Sequence, residues 1–483
     1  MPHYLGLDIG TSSLKVTVID ENRNSVYKQG YDYTYEEKQE GYREINPEIW
    51  WKYATCAINN VVNIYKDIEI IGVTGQMHTT VFLNEMGESV RPAIMWNDTR
   101  SAYLIPEIKE FLSKFEDTKY IAQIISTGSP LANLLWIKEN ETENFTKIHH
   151  IMSAYSYLIF KLTGEYSCDY CEASTSSMFD IVNKTWSSRI LDTYSLTKSY
   201  FSDLYNSCDI VGKVKDEYLK NLHIKHDIRV VAGTGDNPAT ALAMGILNRR
   251  EPVISLGTSG VVIIPKNDGE FEGKGKNVLC SLHHQNIVNI VQGSVQSAGG
   301  AHKWWVTHIA KENDMNMDQN DIKLSNLGAN SVLFYPHISG DKTIYHDPTL
   351  KGAFIGLSTL TRRKDLTQAV FEGVGFSLKE LLENLGIKQW PKSIQINGGG
   401  SNSDIWMQIL ANILDTVIEV VGSDATPGYG ACLLAFMADT KKFDMIEMIS
   451  KKSFMPIESI ATNYKKQYNK YKNIYRLMKQ IDE

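Results

Sequence analysis

Tyr4–Asp20 reads YLGLDIGTSSLKVTVID, and Pro252–Pro265 reads PVISLGTSGVVIIP. In the first stretch Tyr4–Ile9 predicts an apolar strand, Gly10–Ser13 a tight turn and Leu14–Asp20 a returning strand. The second repeats that order, with a strand at Pro252–Leu256, a turn at Gly257–Gly260 and a strand at Val261–Pro265. Asp8-Ile9-Gly10-Thr11-Ser12 thus has a counterpart in Ser255-Leu256-Gly257-Thr258-Ser259, and each opens one half of the chain.

A second pair of units reads alike. Arg229–Ala232 predicts a buried strand ending in Gly233-Thr234-Gly235-Asp236, followed by a helix over Pro238–Leu247 with Pro near its start. Ser393–Asn397 predicts a strand ending in Gly398-Gly399-Gly400-Ser401, followed by a helix over Asp404–Leu414. Ile405, Ile409, Leu410, Ile413 and Leu414 keep helical spacing there. Two matched pairs in one order predict two α/β domains of similar plan, 1–247 and 252–483, joined near Asn248–Pro252. A length of 483 residues is past the size at which one core stops growing.

Hydrophobic content of 43% and charged content of 22% are ordinary for a soluble globular chain. A formal charge of −7, with no long basic run, disfavours nucleic-acid binding. The Lys- and Tyr-rich Tyr464–Lys479 reads as a solvated helix face. The six cysteines are scattered, and the lone Cys168-x-x-Cys171 has no second pair for zinc, so they read as free structural thiols. No signal peptide and no long apolar run is legible, which predicts a cytoplasmic protein with no membrane span.

Gly-rich turns expose backbone N–H groups as anion nests, and two such nests facing across a cleft would hold a triphosphate. Asp8, where a strand meets a Gly turn, reads as a Mg²⁺ carboxylate or as a turn cap. Gly257-Thr258-Ser259 lacks a carboxylate, which suits amides and hydroxyls touching phosphate. No GxxxxGK[ST] motif is present, and Gly233–Pro238 lacks the third glycine of a dinucleotide fingerprint. Asp236 ends a strand just before a helix, where open α/β sheets bind ligands. It reads either as the base that takes a proton from an attacking hydroxyl or as a helix cap. Gln76-Met77-His78 follows a strand at Ile70–Thr74, and Trp96-Asn97-Asp98 follows one at Pro92–Met95. His78, Asn97 and Asp98 suit a polyhydroxyl ligand. A lone His78 is as often a satisfied buried histidine, and Trp96 as often core.

These residues resemble the FGGY carbohydrate kinase family, a branch of the actin-like ATPase fold. Gly352–Glu372, GAFIGLSTLTRRKDLTQAVFE, looks like one family signature, and Pro130–Asn140, PLANLLWIKEN, like another, departing at Asn133. The same resemblance extends to Gly235-Asp236-Asn237, Ser255–Val261 and Ser297-Ala298-Gly299-Gly300. It implies two ribonuclease-H-like α/β domains flanking a deep catalytic cleft, and phosphoryl transfer from ATP with Mg²⁺ to a small ketose, D-xylulose first. Another ketose or polyol of ribulose, gluconate or glycerol type is the alternative within the class, and a chaperone- or actin-like ATPase the one outside it. It implies Asp236 as base and Asp8 for metal or phosphate. Gln76, Met77, His78, Trp96, Asn97, Asp98 and Asn237 would serve the sugar. Gly10, Thr11, Ser12, Gly257, Thr258, Ser259, Gly398, Gly399 and Asn402 would serve the nucleotide. Its partners are then the ketose and ATP, with room for a homodimer. Thr79, and the run Asp341-Lys342-Thr343-Ile344, depart from the closest family pattern.

Overall fold

The computed structural model describes the chain except residues 1, 222–223, 225, 247–250, 268–274, 283–286, 317–318, 348, 423–424, 444–449 and 483. In the N-terminal half the strands are β1 (His3–Ile9), β2 (Ser13–Ile19), β3 (Ser25–Asp32), β4 (Ile68–Gly75), β5 (Ile210–Lys213), β6 (Arg229–Val231) and β7 (Thr234–Gly235). Helices α1 (Glu48–Ile64), α2 (Tyr170–Thr175) and α3 (Asp236–Ala243) accompany them. In the C-terminal half the strands are β8 (Val253–Leu256), β9 (Gly260–Lys266), β10 (Lys276–Ser281), β11 (Ile287–Val295), β12 (Ser393–Asn397), β13 (Val417–Val421) and β14 (Ser450–Phe454). Helices α4 (Arg363–Asn384), α5 (Asp404–Leu414), α6 (Pro427–Thr440) and α7 (Glu458–Tyr471) belong to that half.

Each half builds one seven-stranded mixed sheet. The N-terminal order is β5-β6-β4-β1-β2-β3, with β7 beside β4, and the C-terminal order is β10-β11-β9-β8-β12-β13-β14. β1–β2–β3 and β8–β9–β11 are antiparallel runs, and β4 with β6, and β12 with β13, add in parallel to β1 and β8. The two hairpins expected at Gly10 and Gly257 are therefore real equivalents. The second expected pair is corrected by strand order. Ser393–Asn397 lies next to β8, so its counterpart is β4, whereas Arg229–Val231 lies one strand further out and matches β13. The helix after β6 matches α6 by the same logic. Local Gly turns looked alike, but position in a sheet is a long-range property.

The helix expected over Pro238–Leu247 instead runs Asp236–Ala243, starting earlier and stopping short at its cap Met244; the joint near Asn248 lies outside the described residues. α5 spans Asp404–Leu414 as expected, capped by Ser403, whose side chain accepts from the Trp406 N–H.

The halves share a seam. α6, from the C-terminal half, lies on β1 and β4 of the N-terminal sheet and beside α3. The approach is close because Gly72 has no side chain: a Cβ there would stand 1.9 Å from the Ala431 carbonyl oxygen. One buried apolar cluster accordingly joins Tyr4, Ile70 and Val231 to Val253, Ile263, Cys432 and Leu433. The Tyr464–Lys479 expectation is half corrected. Tyr464, Tyr468 and Tyr471 fall at helical spacing on the buried side of the C-terminal core, while Lys465, Lys466, Lys470 and Lys472 face outward. Tyr464 donates to Glu372 at 2.7 Å and Tyr468 to Glu383 at 2.7 Å, so the phenols anchor α7 by their tips as well as their rings. Among the described residues, no helix is long and apolar enough to cross a membrane.

Candidate active site

Register brings the carboxylates together. Asp8 pairs with Thr74, and Thr74 with Thr234; one step on, Ile9, Gly75 and Gly235 align across β1, β4 and β7. The chain leaves these three strands at one edge, so Asp8, Gln76 and Asp236 share it. Gly235 occupies the cap position of α3 and Asp236 is the first helical residue, its Oδ1 accepting the Asn237 N–H at 2.8 Å. Asp236 is therefore not the helix cap.

Both carboxyls are pushed upward. Burial raises Asp8 to about 6, only partly opposed by Lys15, whose Nζ is 3.9 Å from Oδ2. Burial and then the neighbouring Asp8 raise Asp236 to about 7. Two neighbouring carboxyls whose charged forms are disfavoured would welcome a divalent cation, and Mg²⁺ favours one or two carboxylates completed by phosphate oxygens. The pair fits such an ion; no three-ligand protein cage is present among the described residues.

The two hairpin turns are held by hydrogen bonds of their own. The Gly10 N–H donates to the Ser13 carbonyl at 2.9 Å, and Tyr33 Oη donates to the Gly10 carbonyl at 2.5 Å, bracing that turn with Thr11 and Ser12 at its tip. The Gly257 N–H donates to the Ser259 carbonyl at 3.0 Å, and Ala298 and Gly300 donate to the Thr258 carbonyl at 2.9 Å each. Beside Thr258 opens a cavity of about 420 Å³, walled by Gly300, Lys303 and Trp304 among others. Gly398 takes φ +95°, and a Cβ there would lie 2.6 Å from the Leu256 carbonyl oxygen, so the turn after β12 lies tight against β8. Gly399 and Asn402 beyond it are exposed.

The acceptor side is less uniform than expected. Gln76 is 2% exposed, yet neither end of its amide has a partner. His78 Nδ1 and Asn97 Oδ1 are likewise buried and unpartnered. Buried polar atoms are rarely left so, and these await a ligand or water. His78 sits at φ +69°, a conformation of the kind that marks functional sites. Burial, then Lys276 and Lys342, hold its pKa well below the usual imidazole range, so the ring is neutral.

Other residues take supporting places. Trp96 is 39% exposed and not core; its Nε1 donates to Thr11 Oγ1 at 3.0 Å. Thr79 turns inward to accept the Trp96 N–H at 3.1 Å. Asp98 is fully buried, and Arg100 and the Arg43 N–H occupy both its oxygens, so it braces the loop rather than opening to a ligand. Met77 belongs to the apolar seam and packs under Gly235. Asn133 donates to Thr80 Oγ1 at 3.0 Å, inside the fold. Cys168 and Cys171 are free, with thiols driven well above the ordinary value by burial.

Three groups escaped the sequence reading. Burial, with Asp169 adding like charge, raises Glu172 to about 8. Lys276 reaches His78, with Nζ 3.4 Å from Nε2. Lys342 lies 5.7 Å from the Trp96 ring centre. None belongs to a local motif; only the departure at Asp341–Ile344 hinted at the last.

Comparison with known proteins agrees with this geometry. Residues 3–243 match the N-terminal domain of the FGGY family of carbohydrate kinases, and residues 253–438 match its C-terminal domain. The chain is similar to a xylulose kinase of Staphylococcus xylosus, 30% identical over 98% of this chain and 100% of that protein. It is similar to a gluconokinase of Bacillus subtilis at 25% identity, covering 99% of this chain and 96% of that protein. A crystal structure described as a xyloylose kinase from Brucella ovis superposes with a TM-score of 0.92 at 28% identity, covering 99% of this chain and 100% of that one. With both domains matched and the carboxylate edge in place, the chain belongs to the FGGY family of carbohydrate kinases and is an ATP-dependent sugar kinase.

Proposed function

We propose that this kinase transfers the γ-phosphoryl group of Mg-ATP to D-xylulose, giving ADP and D-xylulose 5-phosphate. The observation that carries the reading is the shared strand edge: Asp236, raised to about 7 beside Asp8, shares it with Gln76, whose buried amide has no partner. Xylulose kinases among the relatives named above support the choice of sugar.

In this reading residues 1–247 bind the acceptor and carry the base, and residues 252–483 bind the nucleotide. The Gly10–Ser12 and Gly257–Ser259 turns hold the phosphates from both sides. Gly398, Gly399 and Asn402 line the nucleotide, and Trp96, His78, Gln76, Asn97 and Asn237 line the sugar. Asp236 accepts the proton of the attacking hydroxyl at a carboxylate oxygen as the oxygen approaches phosphorus, and the rest is positioning. Asp8 would hold Mg²⁺, directly or through water; when bound, the ion neutralises charge on the transferring phosphoryl.

The test is ADP release from Mg-ATP across D-xylulose, D-ribulose, D-gluconate, glycerol and pentitols. Fastest turnover with D-xylulose is expected. Efficient turnover of gluconate or glycerol with none of any pentulose would overturn the sugar assignment.

A further inference from the structure

Two lysines of the C-terminal half lie beside residues proposed to line the sugar. Lys276 begins β10, the edge strand of the C-terminal sheet, yet its Nζ contacts His78 Nε2 of the other half at 3.4 Å. Lys342 comes from a separate loop and lies over the Trp96 ring. Among the described residues, neither ammonium is paired with a carboxylate. Their like charges oppose one another, with Lys109 near enough to add to the repulsion on Lys276.

The transfer end has the opposite character. There the Asp8 charge acts on Asp236, and Lys15 is the cation that reaches both. His78, in contrast, lies under the influence of Lys276 and Lys342. The acceptor site is therefore graded along its length, with Asp8 and Asp236 at one end, Lys276 and Lys342 beside His78 at the other, and Glu172 under the influence of both Asp236 and Lys276.

Ammonium groups only donate hydrogen bonds. A hydroxyl set against them can accept, but it must also hand its own proton to a further acceptor, because His78 Nε2 already faces Lys276. A carbonyl oxygen has no proton to place. An open-chain ketose carries the matching pair, a keto oxygen near one end and a hydroxyl at the other. We propose that Lys276, backed by Lys342, determines acceptor specificity by donating to the keto oxygen. The kinase then takes the open-chain form and discriminates against the corresponding polyol. This rests on the ketose-kinase reading above.

The experiment compares kcat/KM for D-xylulose with that for xylitol and D-arabinitol in the wild type, Lys276→Met and Lys342→Met, with the KM for ATP and the melting temperature alongside. The wild type should prefer the ketose. Lys276→Met should lower ketose kcat/KM by at least about tenfold while the pentitols change little, so the preference shrinks by that factor. Lys342→Met should shift it the same way by less, and it carries the test if Lys276→Met does not fold. Equal losses on ketose and pentitol, or an unchanged ratio, would overturn the inference, as would a wild type that prefers pentitols. A wild type that uses gluconate and no ketose sinks the sugar assignment instead. The keto-oxygen contact then falls with it, whereas an unchanged ketose-to-pentitol ratio in a wild type that prefers the ketose overturns the inference alone.

Discussion

The two hairpins share a backbone plan and differ in what stands at the strand ends. Asp8 precedes Gly10 by two residues, and Ser255 precedes Gly257 by two. Asp236 opens α3 after the outer parallel strand; the equivalent helix α6 is capped by Thr426 and begins at Pro427. One sheet edge thus carries a buried carboxyl and a half-buried one, and the matching edge carries hydroxyls, glycines and backbone N–H groups. The frame is duplicated, but the carboxyls, and with them the proposed proton chemistry, stand in one copy. Amides and hydroxyls can hold an anion without titrating, whereas a base must titrate.

The comparison breaks first at Asp236. Asp236→Asn removes the base and keeps the shape. A general base typically contributes about 10²–10⁴-fold, so kcat should fall at least about 10²-fold. The melting temperature should stay within a few degrees and ADP should still bind, because Gly235, not Asp236, caps α3. A folded Asp236→Asn protein with near-normal kcat on its best sugar would return the carboxylate to a structural role.

Asp8 separates the halves by metal. Asp8→Asn should weaken the divalent ion by about 10–100-fold, as loss of a partner to a metal's ligand shell does. Activity should fall at limiting Mg²⁺ and recover partly at high Mg²⁺. Ser255→Ala, at the equivalent place, should leave the Mg²⁺ requirement where it was. Equal Mg²⁺ titrations for wild type and Asp8→Asn would remove the assignment.

The same pair sets a pH profile. Asp236 acts as a base only when ionised, and its pKa is raised to about 7 by burial and by Asp8. Sugar kcat/KM should therefore climb about tenfold per pH unit below that value and level off above it. In Asp8→Asn one like charge is gone, so the inflection should move to lower pH. An inflection that moves up, or not at all, would show that Asp8 does not face Asp236.

What was legible in the sequence was local. A Gly-Thr-Ser turn between apolar runs leaves few conformations, so β1–β2 and β8–β9 were readable, as were β12 and α5. Asp8 and Asp236 were readable because strand ends beside helices are where such sheets bind. Strand order was not readable: Arg229–Val231 and Ser393–Asn397 end in similar turns but hold different sheet positions. Asp98 was mistaken for an open polar group because its partners include Arg43, far away in the chain. Lys276 carried no signal, since its meaning comes from a histidine in the other half.

The smallest effect tests the carboxylate-free half. Gly398 and Gly399 are neighbours in the turn after β12, yet their surroundings differ. Gly398 is left-handed at φ +95°, with Leu256 backbone where a side chain would go; Gly399 has open space. Gly398→Ala should cost about 1–3 kcal/mol of stability, the range for a residue forced into such a conformation. It should also raise the KM for ATP, because the turn lies against the Gly257 hairpin. Gly399→Ala should change stability by no more than about 0.5 kcal/mol, as for an ordinary surface site. If the methyl at 399 meets the nucleotide, only the KM for ATP will rise. Melting curves with and without ADP, beside steady-state ATP titrations, separate the two effects. Equal destabilisation by both substitutions would mean that the turn is not held against β8 as described. The C-terminal hairpin would then lose its place as the rigid partner of the one that carries Asp8.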